Sequence, residues 1–194
     1  MTVAEPLSIT RIIAKVFEDL KIPYFIGGSL ASSLYGIPRA TQDVDIVADI
    51  KKEDVSVLVD NLKDRFYIDQ DMIFDALHRK SSFNVIHLKT MFKVDVFILG
   101  RDDLSKEEIG RKDRYQLSDD PLDQIFLASA EDVLLHKLYW YKLGGYVSER
   151  QWNDVIGILQ VQSGRLDIDY LVKRAEQRGV SELLEKALKE QSDI

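Results

Sequence analysis

The order of hydrophobic patterns predicts an α/β (α+β) protein, with a mixed sheet flanked by helices over residues 1–128 and a C-terminal helical region over residues 129–194 packed on it. Three observations carry that expectation. Short apolar runs of strand character alternate with amphipathic helical stretches as far as Leu127. Two of those runs, 82–88 and 92–99, are joined by so short a turn that they must form an antiparallel hairpin. Beyond Ala128 only helical periodicity remains.

Taken in order, Ile12, Ile13, Val16, Phe17 and Leu20 recur at helical spacing, so Ser8 to Leu20 reads as an amphipathic helix. Pro23 breaks it, and Tyr24-Phe25-Ile26 forms a short strand running into Gly27-Gly28. Ser29 to Tyr35, small and apolar, suits a buried helix that stops near Gly36. Asp43-Val44-Asp45-Ile46-Val47-Ala48 reads as a strand, and Glu53 to Arg65 as a helix presenting Val55, Leu58, Val59 and Leu62 on one face. The stretch from Phe66 to Lys80 holds a short edge strand and a short helix, and Ile125-Phe126-Leu127 adds a last short strand. In the tail, one helix spans Glu131 to Leu143 and stops at Gly144-Gly145. Ser148-Glu149-Arg150-Gln151 has the spacing of a capping box and opens a helix with Trp152, Val155, Ile156 and Leu159 inward. Two shorter helices near 169–177 and 181–189 complete the chain.

Composition narrows the function. Hydrophobic residues make up 45% and charged residues 30%, the profile of an ordinary globular chain. No apolar run reaches the roughly 20 residues needed to span a bilayer. The start, Met1 to Pro6, lacks the basic-then-apolar layout of a secretory signal, so a cytoplasmic location without membrane partners is expected. Without a single cysteine, disulfides, thiolate zinc sites and thiol nucleophiles are excluded. A net charge of −7 argues against a broad nonspecific nucleic-acid surface, though Arg111-Lys112-Asp113-Arg114 forms a local basic patch. His78, His87 and His136 are scattered without metal-ligand spacing.

The chemistry begins at Asp43-Val44-Asp45. Side chains alternate along a strand, so both carboxylates share one face while Val44 and Ile46 share the other. Two such groups repel unless water or a cation neutralises them. Asp95 lies among Val94, Val96, Phe97 and Ile98, in a strand that otherwise reads as core. A lone carboxylate there needs a partner. Either Lys93, on the same face, supplies it, or Asp95 joins the other two as a third ligand of a magnesium site. Gly27-Gly28-Ser29 turns the chain tightly, leaves no Cβ in the way of a phosphate, and opens a helix whose N–H groups favour an anion. Arg39 and Thr41, on the link into the acidic strand, are further candidates for phosphate contact.

A strand ending in Gly27-Gly28-Ser29, a helix, and then Arg39-Ala40-Thr41-Gln42-Asp43-Val44-Asp45-Ile46 resembles the DNA polymerase β-like nucleotidyltransferase superfamily, and most of all its AbiEii-type toxin branch of bacterial proteins. Lys93-Val94-Asp95-Val96 matches the later strand that carries the family's third carboxylate. The resemblance implies a nucleotidyltransferase-like fold and transfer of a nucleoside monophosphate from a nucleoside triphosphate to an acceptor hydroxyl. Asp43, Asp45 and Asp95 would hold two Mg2+ ions and form the catalytic set, with Gly27, Gly28 and Ser29 on the triphosphate. In the tail, Glu131 to Leu138 and Arg150 to Val155 resemble the family's following helices, which implies Lys137 on the triphosphate and Asp154 supporting the site. Structurally, Arg150 and Asp154 also have the spacing of a plain helix salt bridge.

Three functions follow. The acceptor is RNA or protein, as for the toxin of a toxin–antitoxin pair with a cognate antitoxin; or it is a small-molecule hydroxyl; or the chain is a non-catalytic protein of the same fold that binds a nucleotide or a partner.

Overall fold

The computed structural model describes residues 4–120 and 123–192. Within these, the chain divides into two compact units. The first holds residues up to 30 together with 40–128, and the second holds 31–39 together with 129–194. Residues 1–3, and the last two residues of the expected helical tail, lie outside the described residues.

The first unit is built on a seven-stranded mixed sheet: β1 (Tyr24–Ile26), β2 (Asp43–Ala48), β3 (Phe66–Tyr67), β4 (Ser82–His87), β5 (Lys93–Ile98), β6 (Asp113–Gln116) and β7 (Gln124–Leu127), in the spatial order β3-β4-β5-β2-β1-β7-β6. β2 and β5, the two acidic strands, lie side by side and parallel at the centre, with Asp43 opposite Lys93 and Asp45 opposite Asp95. β4 and β5 form the expected antiparallel hairpin. β1 runs antiparallel to β2 and parallel to β7.

Period-two alternation decides which face is core. Val44, Ile46, Val94 and Val96 are fully buried, while Asp43, Asp45, Lys93 and Asp95 on the other face are only half-buried. Helices α1 (Ala4–Asp19), α3 (Val55–Leu62) and α4 (Gln70–Arg79) cover the apolar side, α1 packing on α3 and β2, and α4 on α3 and β4. α3 is shorter than its apolar periodicity suggests, because Lys52–Asp54 forms a separate 3-10 turn before it. Two elements carry no clear pattern in the sequence. α5 (Asp103–Gly110) is weakly amphipathic and buries Glu108, and β6 is a polar edge strand. The expected basic patch at 111–114 thus runs from the end of α5 into β6, where Lys112 and Arg114 both lie over the ring of Phe126.

Helix α2 (Gly28–Tyr35) starts in the first unit and continues into the second. The second unit also holds α6 (Ala130–Leu143), α7 (Glu149–Val161), α8 (Ile168–Arg178) and α9 (Ser181–Ser192). α6 packs on α7 and α8, and α9 closes against α7 and α8. Leu134, Leu138, Val155, Ile158, Leu171 and Ala187 are fully buried and form its core. Each helix start has a side-chain acceptor where the sequence offers one: Ser129 for α6, Ser148 for α7 and Asp167 for α8. Only half of the expected capping box forms at α7. Ser148 accepts from the Gln151 backbone N–H, but the Gln151 side-chain Oε1 is buried without a partner. Among the described residues no helix is long and apolar enough to cross a membrane.

Candidate active site

In the first unit the glycine turn and the acidic strands are locked to each other. The Gly27 N–H donates to the Asp45 carbonyl at 2.9 Å, which brings the end of β1 onto the middle of β2. Gly28 has φ +58°, and a Cβ there would overlap the Asp45 carboxylate. Position 28 therefore needs glycine twice over, for its backbone conformation and for the approach of Asp45. Gly27 is different: a Cβ there would meet nothing within 4 Å. No feature of the fold requires glycine at 27. Ser29 follows in the first turn of α2, half-buried.

Thr41 is buried, at 5% exposure, and its hydroxyl donates to the Asp43 carbonyl at 2.8 Å. The side chain that the sequence offers as a phosphate contact is thus committed to shaping the start of β2.

The three carboxylates share one face of the parallel pair β2–β5. Asp95 faces Asp45 on one side and Asn84 of β4 on the other. Its carboxylate is engaged: Lys93 Nζ lies 2.7 Å from Asp95 Oδ2. Hydrogen bonding to Asp95 pushes the Lys93 pKa up; partial desolvation opposes this, and the charges of Asp95, Asp43 and Asp45 add to the rise. Asp43, Asp45 and Asp95 are hard oxygen donors on adjacent strands in register, the donor chemistry that a magnesium ion takes. As the side chains stand, however, no group of three acidic or histidine side chains among the described residues is arranged to hold a metal ion. Lys93 supplies the positive charge instead.

In the second unit a different convergence appears. Asp154 on α7 is 8% exposed and receives two cations. Arg39 grips it through Nε and Nη2, both at 2.8 Å, and Lys137 Nζ from α6 reaches Oδ2 at 2.8 Å. Ser32 of α2 adds a hydrogen bond at 3.2 Å. Burial alone would raise the Asp154 pKa, but Arg39 and Lys137 outweigh it and hold the carboxyl below the usual range. The partners of Asp154 come from 115 and 17 residues upstream in the chain, whereas the Arg150 spacing suggested a bridge within α7. No local pattern could have revealed this cluster.

Two other acids beside Lys137 on α6 are structural. Glu131 accepts from the Asp167 N–H, and Asp132 accepts from Ser129 and from the Tyr170 hydroxyl.

No protein-family model matches the sequence, and no curated protein matches it. Solved structures do. An antigenic nucleotidyltransferase-like protein from Paracoccidioides brasiliensis matches at 17% identity and a TM-score of 0.59, over 97% of this chain and 94% of that one. The antibiotic-resistance factor ANT(2'')-Ia, in complex with adenylyl-2''-tobramycin, matches at 14% identity and a TM-score of 0.60, over 90% of this chain and 98% of that one. The solution structure of the same factor matches with a TM-score of 0.56 at 14% identity, over 94% and 96%. At such low identity the likeness lies in the path of the backbone, and the chain has the fold of nucleotidyltransferase-like proteins.

Proposed function

We propose that this protein is a magnesium-dependent nucleotidyltransferase that moves a nucleoside monophosphate from a nucleoside triphosphate to an acceptor hydroxyl. The observation that carries the reading is the register of β2 against β5, which sets Asp45 opposite Asp95 and leaves Asp43 on the same face, beside the Gly27-Gly28-Ser29 turn.

Asp43, Asp45 and Asp95 would hold the cations. Bound there, two Mg2+ ions would neutralise phosphate charge and lower the pKa of the attacking hydroxyl. The open backbone at Gly27 and the first N–H groups of α2 at Gly28 and Ser29 receive the phosphates, which fixes the triphosphate in place. Asp95 is also the proton acceptor for the acceptor hydroxyl. Thr41 holds the start of β2 so that Asp43 keeps its orientation. In the second unit, Asp154 holds Arg39 and Lys137 in place, in keeping with the supporting role that the resemblance gives it.

The finer reading rests on the resemblance of residues 27–46 to AbiEii-type toxins. On it, the acceptor is RNA or protein, the protein is the toxin of a toxin–antitoxin pair, and a cognate antitoxin is its partner in the cytoplasm. A small-molecule acceptor has its own support. The net charge of −7 suits a cationic acceptor, and ANT(2'')-Ia, of similar fold, is seen with adenylyl-2''-tobramycin.

The test is incubation with each triphosphate, labelled in turn at the α and γ phosphate, with magnesium and a cell lysate. α-label carried into RNA or protein supports the toxin reading, and α-label in a small molecule supports the second. Transfer of the γ-label instead, or of neither, overturns nucleotidyl transfer.

A further inference from the structure

The side chain that closes the acidic face belongs to the chain itself. Lys93 shares that face with Asp43, Asp45 and Asp95; it stands opposite Asp43 in the β2–β5 register and two positions before Asp95. Its ammonium lies 2.7 Å from Asp95 Oδ2 and feels all three carboxylates. Three half-buried carboxylates on adjacent strands repel one another, and a neighbouring cation offsets that cost. Yet the Lys93 side chain is 41% exposed, against 16% for Asp95, and it ends in a flexible four-carbon stem. It can leave for solvent without disturbing Val94 or Val96 in the core.

We propose that Lys93 is a tethered counter-cation that competes with the divalent ion for Asp43, Asp45 and Asp95, so that metal loads only as the ammonium leaves Asp95. The inference rests on the reading of these carboxylates as metal ligands given under the proposed function. It accounts for two features of the site together: the donors are in register for a hard cation, and the Asp95 carboxylate is nevertheless held by Lys93. It also gives Lys93 two opposed effects. Without metal the ammonium stabilises the β2–β5 pair; with metal present it lowers the apparent affinity.

The whole chain is titrated with Mn2+, free ion being read by electron paramagnetic resonance, in the wild type and in Lys93→Met, Lys93→Arg, Asp43→Asn and Asp95→Asn. Lys93→Met is expected to bind Mn2+ about tenfold more tightly than the wild type, because a like charge leaves the site. Lys93→Arg, which keeps the charge, stays near the wild type. The metal-free Lys93→Met protein melts at a lower temperature, and Mn2+ raises its melting temperature by more than it raises that of the wild type. If Lys93→Met does not fold, Lys93→Gln, which retains an amide donor for Asp95, takes its place. An unchanged or weaker Mn2+ affinity in the neutral variant, with Asp95→Asn still weakening binding, overturns the competition while leaving the metal ligands in place. If Asp43→Asn and Asp95→Asn bind Mn2+ as well as the wild type, the metal-ligand reading itself fails, and the competition with it.

Discussion

Asp45 and Asp95 stand directly opposite each other across two parallel strands, so two acidic side chains far apart in the sequence share one side of the sheet. Neither belongs to the core, since the alternate positions Ile46 and Val96 fill it. Asparagine at 43 or 45 keeps side-chain volume and the strand register, so each variant should melt within a few degrees of the wild type. Nucleotidyl transfer should fall by about a thousandfold or more, the scale of losing a ligand that stabilises charge in the transition state. Circular dichroism melts and single-turnover rates on the same preparations separate the two effects.

The two glycines should part company on substitution. Gly28→Ala places a Cβ against the Asp45 carboxylate at a positive φ, and should cost about 1–3 kcal/mol of stability. Gly27→Ala meets open space and should leave the melting temperature unchanged. If phosphates approach there, it should instead raise KM for the triphosphate several-fold. A Gly27→Ala variant with unaltered KM would remove the phosphate role from that position.

Asp154 is the anchor of its cluster. Asp154→Ala leaves the buried Lys137 and the half-buried Arg39 without their shared carboxylate, and should destabilise by about 3 kcal/mol. Lys137→Met leaves Asp154 still paired to Arg39 and should cost less. Urea denaturation of the two variants gives the order.

The same carboxylate sets an acid dependence. Its pKa in the folded chain lies below the unfolded value of about 3.9, so its contribution is fully present above that pH. That contribution is lost as pH falls through the folded pKa, because the unfolded chain takes up the proton first. Denaturation midpoints measured from pH 6 down to 3 should therefore fall less steeply in Asp154→Asn than in the wild type. Parallel slopes would show that Asp154 is not depressed.

Tyr170 ties α8 to α6 through a hydroxyl that donates to Asp132 and accepts from Arg174, itself 1% exposed. Tyr170→Phe removes one buried hydrogen bond from each of Asp132 and Arg174 and should cost about 1–3 kcal/mol without touching nucleotide binding. A calorimetric melt and a nucleotide titration check the two halves of that statement.

What the sequence reveals follows the range over which each signal acts. β2 and β5 were legible because apolar–polar alternation is local, and the Asp95 environment pointed to a carboxylate in need of a partner. Of the two partners the sequence allowed, the structure shows Lys93 on the Asp95 carboxylate. α5 and β6 were hidden: α5 has little amphipathic contrast, and β6, an edge strand of charged and polar residues, has no buried face to enforce alternation. Arg39, Lys137 and Asp154 were each singled out in the sequence, but nothing local showed that the two cations grip the one carboxylate. The three meet only through tertiary folding, and the nearer pattern, Arg150 to Asp154, pointed elsewhere. The half-formed box at Ser148 makes the same point at short range, because the Gln151 side chain is drawn into a buried position instead of back to the cap.

The most direct measurement is anomalous diffraction from crystals grown with manganese and a non-hydrolysable nucleoside triphosphate. Manganese peaks about 2.1–2.2 Å from carboxylate oxygens of Asp43, Asp45 and Asp95, with Lys93 withdrawn from Asp95, are the predicted result. Ordered triphosphate without manganese at these three side chains, and Lys93 still on Asp95, would contradict it.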